Sequence, residues 1–191
     1  MKKLQWDKVR VLVANYCNYK CPFCHNEGQG KTTTKERMSL QSFRRLVDIL
    51  SNQPISEFNI SGGEPFLNED IVDMILYIND NLDCDISCAT NLSLIKPEHI
   101  SVLSGTRIKF NIQFPFATAE AFKQSTVTGN LDRILTNIDL LCAENIQVGL
   151  NTVVQSDDFS SISTLIDFAL ERGLPLKLLP QIGLSGSNQF L

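Results

Sequence analysis

Short runs of β-branched and other apolar residues alternate along this sequence with longer stretches whose apolar residues recur at helical spacing, and that alternation decides the fold class. Residues 9–14 read as a buried strand ending at Asn15. After the polar stretch 26–36, Ser39 stands as N-cap to a helix carrying Leu40, Phe43, Leu46, Val47 and Leu50 on one face. A second strand, 57–61, breaks at Gly62-Gly63. Asn68 then predicts a helix cap, with Glu69 and Asp70 in the first turn and Ile71, Met74, Ile75 and Ile78 on one face. The alternation continues with strand 84–89, a short helix 97–103 and strand 107–113. A longer helix follows, through Leu131, Ile134, Leu135, Ile138, Leu141 and Cys142, and then strand 146–154. A last helix with Ile162, Leu165, Ile166 and Ala169 stops at Gly173 in the C′ position, ahead of a sixth strand, 174–179. Six strands and five helical segments, joined by crossovers long enough for parallel pairing, predict an α/β fold with helices covering a parallel sheet. An open doubly wound sheet and a barrel-like sheet both fit the pattern. In either, ligands gather beyond the C-terminal strand ends.

Composition narrows the function. Lysine and arginine number 17 against 21 acidic residues, a net charge of −4, and neither sign forms a block, so no nucleic-acid or membrane surface is indicated. Apolar residues at 43% and charged residues at 20% exclude a disordered chain. The longest apolar runs, such as 11–14 and 74–76, fall far short of the roughly 20 residues a membrane helix needs. Asp7, Lys8 and Arg10 interrupt what would have to be the core of a signal peptide. A cytoplasmic location is therefore expected, and its six cysteines are not expected to pair as disulfides. No linker or internal repeat divides the chain. It reads as one domain, 1–191, whose Gly/Ser-rich tail from Gly183 suggests a frayed end or a truncation point after 182.

Directly after the first strand comes Cys17-Asn18-Tyr19-Lys20-Cys21-Pro22-Phe23-Cys24, a CxxxCxxC pattern at the functional end of the sheet. Three thiolates can each hold one iron of a cubane cluster, and since such clusters usually take four cysteines, a trio leaves one iron open to another ligand. The alternative is a non-catalytic metal module: zinc on Cys17, Cys21, Cys24 and His25, or a cluster serving electron transfer. Adjacent Cys24 and His25 would strain tetrahedral ligation by both. Cys84, Cys88 and Cys142 read as small buried hydrophobes, and His99 as a helix-surface residue. The second signal is Ser61-Gly62-Gly63-Glu64-Pro65, where paired glycines allow close backbone approach to a ligand and Glu64 offers an acceptor for an ammonium group. Thr90-Asn91, Asn111, Gln113 and Asn151 stand at later strand ends, on the same rim.

CxxxCxxC with Phe23 before its third cysteine, followed by GGEP after the second strand, resembles the radical S-adenosylmethionine (SAM) superfamily over nearly the whole chain. The resemblance implies a partial, TIM-like (β/α)6 barrel of parallel strands. It implies a 4Fe-4S cluster on Cys17, Cys21 and Cys24, with SAM chelating the remaining iron through its amino and carboxylate groups. Phe23 would lie against the adenine, and Gly62, Gly63, Glu64 and Pro65 would line the methionine amino group; Asn91, Asn111, Gln113 and Asn151 would make further SAM contacts. The implied chemistry is reductive cleavage of SAM to a 5′-deoxyadenosyl radical, which abstracts hydrogen from a small-molecule or peptide/protein substrate. The cofactors carry that chemistry with no further catalytic residue, and an electron donor such as flavodoxin or ferredoxin is implied.

Within the superfamily the chain is similar to the GTP 3′,8-cyclase family in Arg10, in Glu27-Gly28 and in the 131–154 stretch, which makes Arg10 a candidate substrate contact. It departs from that family in having Asn59 and Gly149 where basic residues hold the triphosphate, and no cysteine follows Cys142. The Cys24-His25-Asn26 run also resembles glycyl-radical activating enzymes, and similar cores modify peptides.

Overall fold

The computed structural model describes residues 7–24, 34–154 and 159–181. Strands β1 (Lys8–Leu12), β2 (Glu57–Ser61), β3 (Asp85–Thr90), β4 (Ile108–Gln113), β5 (Gln147–Val154) and β6 (Leu176–Pro180) form one sheet, every pair parallel and every neighbour sequential. A doubly wound sheet reverses its strand order at a switch point, and this one does not. Right-handed crossovers that always step the same way leave the helices on one face, which bends the sheet into a partial (β/α)6 barrel.

Side chains alternate between the two faces of the sheet, most cleanly in β4. Phe58 and Ile60, Ile86 and Cys88, Ile108, Phe110 and Ile112 are buried on the helix side. Arg10, Asn59, Ser87 and Lys109 stand side by side across β1 to β4 on the concave side, as do Gln113, Asn151 and Lys177 across β4 to β6. Period-two patterning thus builds an apolar layer outside and a polar wall inside.

Six helices cover the apolar layer among the described residues: α1 (Leu40–Leu50), α2 (Ile71–Asn81), α3 (Pro97–Leu103), α4 (Ala119–Thr126), α5 (Leu131–Ala143) and α6 (Phe159–Glu171). Ser39 caps α1 by accepting from the Ser42 amide, and α1 buries Phe43, Val47 and Leu50. At the end of α6, Gly173 takes φ +62°, and its amide and that of Leu174 close onto the Leu170 and Ala169 carbonyls. Asn145 does the same for α5 at φ +58°.

Five expectations change. β1 ends at Leu12, because the chain beyond it pairs differently: Val13 donates to the Ser61 carbonyl and Ala14 bridges Arg37. Asn68 caps no α-helix; its buried amide donates to the Val13 and Met38 carbonyls, its oxygen accepts from the Asp70 amide, and α2 starts only at Ile71. Helix α4 is additional, too short and too polar for its periodicity to register in the sequence. Cys142 is exposed, Leu141 taking the buried position beside it. His99 is half-buried and stacks on Phe66, with ring centroids 5.7 Å apart.

Phe58, fully buried on β2, meets Phe43 of α1 edge-on at 5.8 Å and joins sheet to helix layer. Phe58→Ala is expected to cost about 3–5 kcal/mol, read as a lowered urea midpoint with unchanged slope.

Candidate active site

The glycines after β2 are needed by the chain itself. A Cβ on Gly63 would stand 2.1 Å from the Tyr16 carbonyl oxygen and 2.9 Å from the Cys17 nitrogen; one on Gly62, held at φ +144°, would stand 2.4 Å from the Ala14 oxygen. The Gly63 amide donates to the Ala14 carbonyl at 2.8 Å, and the Glu64 amide to the Tyr16 carbonyl at 2.9 Å. The two strand ends are therefore zipped together backbone to backbone, and the cysteine loop begins where the zip ends. On its far side the loop is tied to the α4–α5 connection, the Lys20 amide donating to the Thr126 carbonyl and the Thr128 hydroxyl to the Asn18 carbonyl.

Cys17, Cys21, Phe23 and Cys24 line one cleft of about 650 Å³ at the C-terminal strand ends, together with Gly62, Gly63, Asn91, Asn111, Gln113 and Asn151. Cys21 is buried, and Cys17 and Cys24 are half-buried. Burial pushes the Cys17 thiol up and the Cys21 thiol up to about 12. The Cys17 sulfur accepts from the Tyr19 amide at 3.3 Å and from the Asn91 side-chain amide at 3.7 Å. Soft sulfur donors on one short loop, with N–H groups already aimed at one of them, match the donor chemistry of an iron–sulfur cluster. Among the described residues no three His, Cys, Asp or Glu side chains are grouped to hold a single metal ion. His25, Asn26, Glu27 and Gly28 lie outside the described residues.

Glu64 has a different position from the one its motif suggests. It is completely buried and its carboxylate is committed to three donors: the Thr90 hydroxyl at 2.6 Å, the Asn91 amide at 2.7 Å and the Phe66 amide at 3.1 Å. Burial pushes its pKa up to about 6, against those three hydrogen bonds, which favour the charged form. Pro65 is likewise buried, opening the short 3₁₀ turn Pro65–Leu67. The cleft is met here by the glycine backbone instead.

Lys8, Arg10, Glu57, Asn59 and Lys177 line the same cleft. Arg10 donates to the Ser61 hydroxyl at 2.8 Å, and Lys8 pairs with Glu57 at 3.1 Å. The Ser87 hydroxyl, and after it Lys8, hold the Glu57 carboxyl below its ordinary range. Gln113 reaches the cleft with its side-chain nitrogen buried and unpartnered among the described residues. Asn18, Ser93 and Thr128 belong to this assembly but escape the sequence reading. Asn18 lies inside the cysteine motif as a spacer, and Ser93 is separated from the strand end by two residues.

A parallel half-barrel sheathed in helices, with three cysteines lining the cleft at its mouth, defines an α/β barrel with a thiol-lined site as the class. The chain belongs to the radical SAM superfamily, whose family model matches residues 11–169. That family uses a 4Fe-4S cluster and SAM. The chain is 27% identical over 187 residues to the GTP 3′,8-cyclase of Clostridium perfringens (strain 13 / Type A), covering 96% of this chain and 58% of that protein. It is 29% identical over 172 residues to the probable GTP 3′,8-cyclase of Thermococcus kodakarensis, covering 90% and 55%. The chain thus spans little more than half the length of these curated relatives. Among solved structures, Streptococcus suis SuiB bound to S-adenosylmethionine superposes with a TM-score of 0.84 at 17% identity, covering 97% of this chain and 43% of that one. SuiB is also known with its precursor peptide SuiA. No helix among the described residues is long and apolar enough to cross a membrane.

A raised carboxylate pKa has a signed consequence. The fold favours the protonated Glu64, so its contribution is fully present below about pH 4.5 and is lost as pH rises through about 6, an effect of about 2 kcal/mol. Urea unfolding of the parent and of Glu64→Gln between pH 4 and 7 is expected to differ by a ΔΔG that changes by about that amount across this window.

Proposed function

We propose that this chain is the core of a radical SAM enzyme: it holds a 4Fe-4S cluster on Cys17, Cys21 and Cys24 and binds SAM across the strand ends. The observation that carries the proposal is the glycine zip, which ties the cysteine loop to the rim of a cleft running down to polar strand positions. Cys17, Cys21 and Cys24 would hold the cluster, which would supply the electron for reductive cleavage of SAM at its C5′–S bond to methionine and a 5′-deoxyadenosyl radical, the species that would take hydrogen from the substrate.

The chain's own residues bind and orient. Phe23, buried at the mouth, provides an apolar wall for the adenine. The Gly62-Gly63 backbone meets the methionine end of SAM, while Glu64 and Pro65 support it from behind. Asn111, Gln113 and Asn151 supply polar groups along the rim, and the unpartnered Gln113 nitrogen is a donor awaiting an acceptor. Arg10 is assigned to the substrate, since its strand β1 brings a guanidinium to the same cleft that the cysteines line. The polar concave wall and the cyclase relatives favour a small polar substrate, and the SuiB likeness keeps a peptide in view. An electron donor of the flavodoxin or ferredoxin kind completes the reaction.

Anaerobic reconstitution with iron and sulfide, then dithionite and SAM, is expected to yield 5′-deoxyadenosine. Changing an outer partner of a metal ligand already costs about 10–100-fold, so Cys17→Ala, Cys21→Ala and Cys24→Ala are each expected to lower the yield by about 100-fold or more. An intact cluster with no cleavage rejects the proposal. One tightly held zinc with no labile sulfide favours the non-catalytic metal module.

In the same assay Gly63→Ala is expected to lose cluster loading together with about 1–3 kcal/mol of stability, because its Cβ would displace the peptide that leads into Cys17.

A further inference from the structure

Asn91 is tied from every side. Its backbone amide donates to the buried Glu64 carboxylate at 2.7 Å. Its side-chain oxygen accepts from the Ser93 amide at 2.9 Å and from the Ser93 hydroxyl at 2.6 Å. Its side-chain nitrogen donates to the Asn18 side-chain oxygen at 2.9 Å and reaches the Cys17 sulfur at 3.7 Å. Asn18 in turn donates to the Ser93 hydroxyl at 2.8 Å, so Asn18, Asn91 and Ser93 close a ring of hydrogen bonds beside one thiol.

The turn that carries Asn91 is itself strained. Leu92 sits at φ +60° and is fully buried, a left-handed conformation that non-glycine residues rarely adopt. It persists because the Thr90 hydroxyl accepts from the Leu92 amide at 2.9 Å and the buried Asn137 amide donates to the Leu92 carbonyl, also at 2.9 Å. A side chain that only faced an open rim would need none of this. The orientation of both ends of the Asn91 amide is settled by the ring: its oxygen faces two donors, which leaves the nitrogen toward Asn18 and the sulfur.

From this geometry we infer that Asn91 is a positioning residue for Cys17 that raises the reduction potential of the cluster, with Glu64 and Ser93 as its supports. The inference rests on the assignment of Cys17 as a cluster ligand. A hydrogen-bond donor aimed at a ligating sulfur stabilises the added electron, so it makes the cluster easier to reduce. The Tyr19 amide contributes in the same sense from the backbone, where any exchange other than to proline leaves it in place. The cleft therefore acquires one side-chain control on its redox behaviour, contributed by the end of β3 rather than by the cysteine loop.

The test is a redox titration of the anaerobically reconstituted protein without SAM, followed by electron paramagnetic resonance, with iron and sulfide determined on each sample. Asn91→Ala is expected to load the same iron and sulfide as the parent and to show a more negative midpoint. Asn91→Asp keeps the oxygen that Ser93 holds but turns an acceptor and a charge toward Cys17, and is expected to shift further in the same direction. Ser93→Ala leaves the Asn91 amide present but less firmly held. It is expected to shift less, and it carries the test should the Asn91 variants fail to fold. Fully loaded variants with the parent midpoint overturn the inference while leaving the cluster assignment intact. A parent protein that takes up no cluster overturns both.

Discussion

Two backbone hydrogen bonds, from Gly63 to Ala14 and from Glu64 to Tyr16, decide where everything else in the cleft can be. They extend the β1–β2 pairing past the ends of both strands, so the chain enters the cysteine motif already locked to its neighbour. Only glycine fits at positions 62 and 63, since any Cβ there would occupy space filled by the peptide backbone from Ala14 to Cys17. The three thiols inherit their location from that contact, and the ties to Thr126 and Thr128 hold the loop's other flank.

Behind the glycines, burial and hydrogen bonding oppose each other at Glu64. A carboxylate with no exposure is costly, yet three donors are arranged around it, and the result is a buried acid that links the end of β2 to the end of β3. The structure thus separates two roles that stand side by side in the motif: glycine backbone faces the cleft, and the acidic side chain braces the rim from inside.

The fold was legible in the sequence wherever periodicity was strong. The second strand, the caps at Ser39 and Gly173, and helix 97–103 all emerge as read. It was less legible where tertiary contacts override local signals: Asn68 looks like a cap but joins three segments, and α4 has too few apolar residues to announce itself. At the site, cysteines and glycines stand out because their chemistry is unusual. Asn18 and Ser93 do not, because an asparagine between two cysteines and a serine after a strand are ordinary residues until folding closes the ring around Asn91. The direction in which Glu64 points was equally hidden, since a carboxylate at a strand end has no preference for core or cleft until its donors are in place.

The two-sidedness of the strands has a consequence for how such a chain can diversify. Helix-side positions such as Phe58, Ile86 and Phe110 support the scaffold, whereas their immediate neighbours Asn59, Ser87 and Lys109 belong to the opposite wall and share little packing with them. Exchanging residues on that wall leaves the apolar layer intact. New specificities are therefore accessible by single steps that spare the apolar layer, and the scaffold and its chemistry can drift at independent rates.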